Sequence, residues 1–243
     1  FNAIYGLWYD IDLFESANLY SLPEYKGFDG VANTGDEYFG PDGIEGTYDD
    51  GLPATWEDMK ILLQVMAGMN IVPFTFSGMH SWMRNFWLDI ILMNYEGMDD
   101  YILGYTFDGE DSDFGPIDKS NGYLLKQQEG KKAMLMVAEK IAKDGLYSSG
   151  SLKSTQTHLQ AQTEYLDSVT TDKPSAFLID GSWWEYEARE TFTRMEKINK
   201  KFARGTRRFG YFPIPRFEGT SGLKDQQNTK QYINSISNYL IAA

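Results

Sequence analysis

Residues 175–184 read SAFLIDGSWW. Ser175 to Asp180 is a compact apolar run of strand length and reads as a buried strand; Gly181 turns the chain, and Trp183 and Trp184 open a helix. Downstream, RFGYFPIPRF (208–217) is an extended run whose prolines rule out a helix interior. The short basic string RGTRR just before it, Arg204 to Arg208, reads as a solvated loop between a helix and a strand. Upstream, NIVPFTF (70–76) is a second buried strand. Helical spacing predicts a short helix around Leu13 to Leu19 and one from a capping-box-like Thr55, with Glu57 and Asp58, through about Met69. A helix over Ser81 to Tyr95 is apolar nearly all round and ends at Gly97; others span Gly122 to Lys143, stopped by Gly145, and Lys153 to Val169. Strands joined by helices give an α/β domain.

The two ends, AIYGLWYD (3–10) and SNYLIAA (237–243), both read as strands. If they share one sheet, residues 1–243 form a single domain with adjacent ends, as expected of a unit excised from a larger parent. The Gly- and Asp-rich loop from Lys26 to Leu52 is long for such a domain. No internal repeat and no low-complexity tract is read.

Composition excludes several functions. A formal charge of −13, from 35 acidic and 22 basic residues, argues against a nucleic-acid partner. With no cysteine there is no disulfide, thiolate metal site or Cys nucleophile. No window resembles a membrane span, and FNAIYGLWYD has no basic region before an apolar core, so an export signal or membrane anchor is expected to lie outside this chain. Aromatic residues make up 15% of the chain, enough for some rings to serve a ligand rather than the core.

Four strings occur in an order that resembles the extracellular solute-binding proteins of ABC importers, family 1, the maltodextrin or sugar-binding type. GLWYDIDLFESANL (6–19) resembles that family's crossing from first lobe to second, and LPATWEDM (52–59) its Pro-x-Thr-Trp helix start. AFLIDGSWW (176–184) resembles the strand and Asn-Gly-Pro-Trp-like turn whose Trp stacks on sugar, and FGYFPIPRFEG (209–219) a later strand. The final NYLIAA (238–243) resembles the strand returning to the first lobe. The resemblance implies a class II periplasmic-binding-protein-like lobe, a mixed sheet flanked by helices, belonging to a two-lobed parent. It implies a bacterial extracytoplasmic protein, a cell-surface lipoprotein or a periplasmic one, that delivers a sugar or oligosaccharide to ABC permease subunits. Its partners would be the ligand, the missing first lobe and the permease, with membrane contact only through an anchor outside the chain. The turn departs from the family in having Ser182 where Pro is frequent, and the loop 33–51 is longer than in the maltodextrin type.

Sugar recognition needs flat apolar faces for C–H surfaces and polar groups for hydroxyls. Trp183 fits the first role. Trp184 is also a candidate, although in one helical turn the two rings point apart and Trp183 is the better choice. In SGMHSWMRNFW (77–87), Ser77, Met79, His80 and Trp82 are candidates for a second ligand-contacting loop, while Phe86 and Trp87 read as core. Asn2, with Ala3 beside it, matches a hinge-proximal position. Only two histidines exist, His80 and His158, so a zinc site is not expected, and His158 reads as a helix-surface residue. Asp36, Asp42, Glu45, Asp49 and Asp50 do not follow the EF-hand register; the loop reads as solvated turns, with calcium as the alternative and no required cofactor. No catalytic residue is identified. The enzyme alternative, a glycosidase fragment using such acids as Asp99, Asp100, Glu110, Asp111 and Asp113, lacks a buried strand end to tune a carboxylate, for these read as surface loops. A carbohydrate-adhesion module, or a transporter lobe for a peptide, polyamine or other small polar solute, are the remaining alternatives.

Overall fold

Strand β1 (Ile4–Asp10) is the centre of the sheet. A computed structural model describes residues 4–110, 112–217 and 234–235, with the backbone alone at Phe86, Asn234 and Ser235. Strand β3 (Ser175–Gly181) runs antiparallel along one side of β1, with Tyr5 opposite Gly181 and Tyr9 opposite Phe177. Strand β2 (Val72–Thr75) lies parallel outside β3, with Phe74 opposite Phe177. On the other side of β1, β4 (Phe209–Phe212) pairs with Leu7 to Asp10, and β5 (Asn234–Ser235) pairs with Ile4 and Tyr5. Ile4 therefore stands directly beside Ser235; the return strand expected in NYLIAA lies outside the described residues.

Helices cover both faces, which explains why β3 is buried along its whole length. Phe177 and Ile179 face a core shared with Leu7, Tyr9, Phe74 and Phe212. That core is completed by α1 (Ile11–Ser16), α2 (Trp56–Gly68), α3 (Ser81–Glu96) and α5 (Glu129–Lys143), through residues such as Phe14, Leu62, Ile90 and Val137. Leu178 faces the other way, onto α6 (His158–Asp167), the short α7 (Trp184–Glu187) and α8 (Arg189–Ile198), where Tyr165, Trp184 and Phe192 form a second core. A helix not anticipated from sequence, α4 (Met98–Thr106), follows α3 directly after Gly97, whose φ of 81° lets the chain turn between the two. Asp99 and Asp100 lie in its first turn rather than in a surface loop, and Asp100 is buried.

Two further expectations are corrected. Arg207, read as part of a solvated loop, is buried: its Nε donates to Asp10 Oδ2 at 3.0 Å, Nη2 donates to the same oxygen, and Nη1 donates to the Leu166 carbonyl at 3.0 Å. Asp10 Oδ1 meanwhile accepts from the Leu13 amide at 3.1 Å and caps α1. The long acidic loop is also a tandem repeat offset by 13 positions, with Asp29, Gly30, Thr34 and Asp36 recurring as Asp42, Gly43, Thr47 and Asp49. The bonds repeat with the residues. Val31 N–H donates to Asp29 Oδ1 at 2.7 Å and Ile44 N–H to Asp42 Oδ1 at 2.8 Å. The Thr34 and Thr47 hydroxyls donate to the carbonyls of Val31 and Ile44 at 3.0 and 3.1 Å, and Asp36 and Asp49 each accept from the amide seven residues back at 3.1 Å. The loop thus satisfies much of its backbone through its own side chains and turns, with one short 3-10 turn at Asp36–Tyr38.

Candidate functional site

β2 and β3 run in the same direction and end at the same rim of the sheet, and the segments that follow them meet there. In α/β sheets this carboxyl end of parallel strands is where ligands bind. After β3, Ser182 is tied to β1 by two bonds: its amide donates to the Ile4 carbonyl at 2.7 Å, and the Ile4 amide donates to Ser182 Oγ at 3.2 Å. That clamp does what the resembled proline would do by stiffness. Trp183 then folds back over Gly181, so closely that a methyl group at Gly181 would overlap its six-membered ring. Gly181→Ala is therefore expected to displace the indole and lower stability by about 1–3 kcal/mol, seen as a shifted tryptophan emission and a lower urea midpoint; an unchanged spectrum would contradict the packing.

Tyr5 lies between two tryptophans. Its ring meets Trp183 edge to face at 4.9 Å between centroids and Trp82 likewise at 5.6 Å. Trp183 is half-buried and Trp82, on the first turn of α3, is 45% exposed. His80 comes next in line, its ring tilted against Trp82 at 6.0 Å between centroids, and Met79 beside it is exposed. Tyr5 itself is buried, so the exposed part of the patch is carried by Trp82 and Met79, with Trp183 and His80 half-buried beside them. A hollow elsewhere, lined by Lys26, Gly30, Glu57, Lys60, Ile61 and Gln64, contains no ring.

A polar network underlies the rings. Asp180 is 1% exposed, and burial pushes its carboxyl up to about 7, with the charge of Glu187 adding to the effect and hydrogen bonds from Gln162 and the Gly181 amide opposing it. Gly181 N–H donates to Asp180 Oδ1 at 2.7 Å; Gln162 Nε2 donates to Asp180 Oδ2 and to Glu187 Oε2, both at 2.9 Å. Trp8 Nε1 donates to the Asp180 carbonyl at 3.0 Å. The same two acids raise the Tyr5 phenol, after burial, its largest cause.

Of the residues read from sequence, Trp183, Trp82, His80 and Met79 come together at this rim. Trp184 does not: it is 1% exposed, packed edge to face on Tyr165 and Phe209, and its candidacy as a ligand contact is corrected to that of a core residue. Ser77 is buried, its hydroxyl donating to the Gln156 carbonyl at 2.9 Å and accepting from the His80 amide at 3.1 Å, so it shapes the loop instead of meeting a ligand. Asn2 lies outside the described residues. Sequence reading missed His158 and Glu187. His158, at the head of α6, brings its ring within 5.3 Å of His80, and its Nε2 stands 3.9 Å from Glu187 Oε2. No three His, Asp or Glu side chains gather as a metal would need among the described residues, and none of the described helices is long and apolar enough to cross a membrane.

No family model matches the chain, and no curated protein does. Solved structures match it closely enough to settle its architecture. The bacterial solute receptor AcbH, described with an exclusive preference for β-D-galactopyranose, superposes at a TM-score of 0.51 and 15% identity, covering 89% of this chain and 39% of its own. Apo RafE from Streptococcus pneumoniae gives 0.52 and 15%, covering 88% and 40%. The fold is that of one part of a solute receptor. A third structure, from work on xylan utilization by the thermophilic bacterium Caldanaerobius polysaccharolyticus, gives 0.50 and 11%, covering 90% of this chain. The expected receptor-lobe fold, a mixed sheet flanked by helices, is thus found, and the chain spans about two fifths of these three proteins, 39–40% of each.

Proposed function

We propose that the chain is the second lobe of a two-lobed extracytoplasmic solute-binding protein, and that it presents Trp183 and Trp82, braced by the buried Tyr5 ring between them, as a platform for a sugar or oligosaccharide. The observation that carries this reading is the half-buried Trp183 indole, seated on Gly181 at the carboxyl end of two parallel strands with a second exposed indole close by. Sugar C–H faces pack on such rings, and the receptor AcbH, with β-D-galactopyranose named for it, shares the fold. Ligand held between lobes shifts an open protein toward a closed one, the form delivered to the permease of an ABC importer.

No chemical step is assigned. Asp180 has the pKa a general acid needs, but it is sealed from solvent and both its oxygens already accept hydrogen bonds. Asp100 accepts from the Ser112 hydroxyl and from the Asp113 amide at 3.1 Å.

Thermal-shift screening of the two-lobed protein against sugars, amino acids and peptides tests the cargo. A bound sugar at a hundredfold its Kd adds about 2.7 kcal/mol, and Trp183→Ala is expected to weaken that binding roughly tenfold. A response to amino acids alone, or one untouched by Trp183→Ala, would overturn the platform. We also propose that the acidic loop needs no calcium, since Asp36, Asp42, Asp49 and Asp50 already accept backbone amides. A calcium-induced rise in melting temperature reversed by EDTA would contradict this.

A further inference from the structure

His158 and Glu187 are held apart by a distance that suits neither a direct bond nor independence. Their 3.9 Å separation, Nε2 to Oε2, exceeds the roughly 3.2 Å limit of an N–H···O bond. One oxygen atom about 2.8 Å from each would bridge them. Both side chains are reachable, at 33% and 29% exposure.

Both are also fixed before any guest arrives. Thr157 and Gln160 form a reciprocal capping box around the start of α6, Thr157 N–H donating to Gln160 Oε1 at 2.9 Å and Gln160 N–H to Thr157 Oγ1 at 3.3 Å, which sets the backbone from which His158 projects. Glu187 is anchored by the 2.9 Å bond from Gln162 Nε2. Gln162 is fully buried, and its Oε1 has no partner among the described residues, so the amide that holds Glu187 carries a spare acceptor. His80 links this corner to the rings, 5.3 Å from His158 and 6.0 Å from Trp82. A hydroxyl is the group that accepts from one side and donates to the other, and a sugar lying on the Trp82 and Trp183 rings would carry several.

We propose that His158 and Glu187 form a polar subsite that takes one hydroxyl of an uncharged sugar, the oxygen accepting from His158 Nε2 and donating to Glu187 Oε2. This rests on the sugar-platform reading above. It also sets specificity: a uronic acid that brought its carboxylate here would face the Glu187 carboxylate with no proton between them, so neutral pyranosides are preferred over acidic ones.

Saturation-transfer NMR on the full chain with methyl β-galactopyranoside, methyl β-glucopyranoside and methyl β-galacturonoside tests it at the low affinity expected of one lobe. Glu187→Gln keeps an acceptor for Gln162 and is expected to weaken neutral-sugar binding roughly tenfold while narrowing the gap between neutral and acidic sugars. His158→Ala should weaken neutral sugars similarly, and the double variant should be little worse than either single, since both groups hold one hydroxyl. Unfolding curves of the variants confirm that each is folded. If both single variants bind within twofold of the parent while Trp183→Ala abolishes binding, the platform stands and the subsite is wrong. A wild-type preference for the uronoside also overturns the subsite, and absence of transfer to any sugar overturns the platform with it.

Discussion

Arg207→Met is expected to destabilise the chain by about 3–5 kcal/mol, because it strands the Asp10 carboxylate in the interior. Asp10 and Arg207 are 1% and 3% exposed at their side chains, joined by two hydrogen bonds on one carboxylate oxygen, with the guanidinium 5.1 Å from the Phe209 ring and bonded to the Leu166 carbonyl. In water each ion is solvated separately; here each is the other's main solvation, so removing one leaves an uncompensated charge. Arg208, one residue on, provides the contrast. Its partners Asp12 and Glu15 are exposed, and such pairs contribute about 0–1 kcal/mol. The double variant Asp10→Asn with Arg207→Met is expected to recover much of the loss, since no charge is stranded and Asn still accepts from the Leu13 amide to cap α1. Urea unfolding of the two variants decides the matter: a double variant no more stable than Arg207→Met alone would mean that loss of the pair itself, not the stranded charge, carries the cost.

The difference between these neighbouring arginines marks where sequence stops informing. RGTRR contains nothing to tell Arg207 from Arg208, because their fates depend on which face of β1 their segment lies against, a long-range fact. Local signals fared better. The apolar run of Ser175 to Asp180 and its Gly stop located β3, and Thr55 located the start of α2, its hydroxyl accepting from the Asp58 amide at 3.2 Å. The Asp58 carboxylate accepts from the Thr55 hydroxyl at 3.0 Å and also reaches across to the amides of Lys26 and Gly27 at 2.7 and 3.1 Å, holding the acidic loop against the helix. Gly97 was legible as an end of α3, but a single Gly also permits an immediate restart, and the Asp99–Asp100 pair that favours a helix N-terminus passed for loop acids. The expected helix over Gly122 to Lys143 begins only at Glu129, after a turn of tighter 3-10 helix, since Gln128 is held by a bond from its Nε2 to the Asp100 carbonyl.

The same boundary runs through the site. Trp183 was legible because a strand, a Gly and a Trp in succession constrain one another locally. Its neighbour Trp184 was separable only in part: adjacent helical positions diverge, yet which of them met the second core depended on Tyr165 and Phe209. His80 and His158 looked unrelated because 77 residues intervene between them, and only the shared rim of β2 and β3 brings their rings together. The 13-residue repeat was in plain view, Glu24, Tyr25, Gly27, Asp29, Gly30, Thr34 and Asp36 recurring as Glu37, Tyr38, Gly40, Asp42, Gly43, Thr47 and Asp49, but it is a pattern that hydrophobic periodicity does not register.

Asp180→Asn is expected to change the pH dependence of stability more than any other single substitution at the site. An aspartate with an ordinary pKa of 3.8 when unfolded and about 7 when folded holds its proton more tightly in the native state. The stability from that protonated acid is therefore complete below about pH 4 and is lost as the pH rises through 7. At about 1.4 kcal/mol for each pH unit, the gap amounts to about 4 kcal/mol. Asn accepts from the Gly181 amide without titrating, so its advantage over the parent should grow by about that amount between pH 4 and pH 8. Burial also raises Asp49, Asp58, Asp89, Glu96 and Glu185, which tilt the parent's profile in the same direction; they are present in both proteins and cancel in the difference. Asn is also the residue that stands in the resembled sugar-binding turn. If urea midpoints of parent and variant instead run parallel from pH 4 to pH 8, Asp180 is ionised throughout, and the Gln162 and Gly181 bonds outweigh its burial.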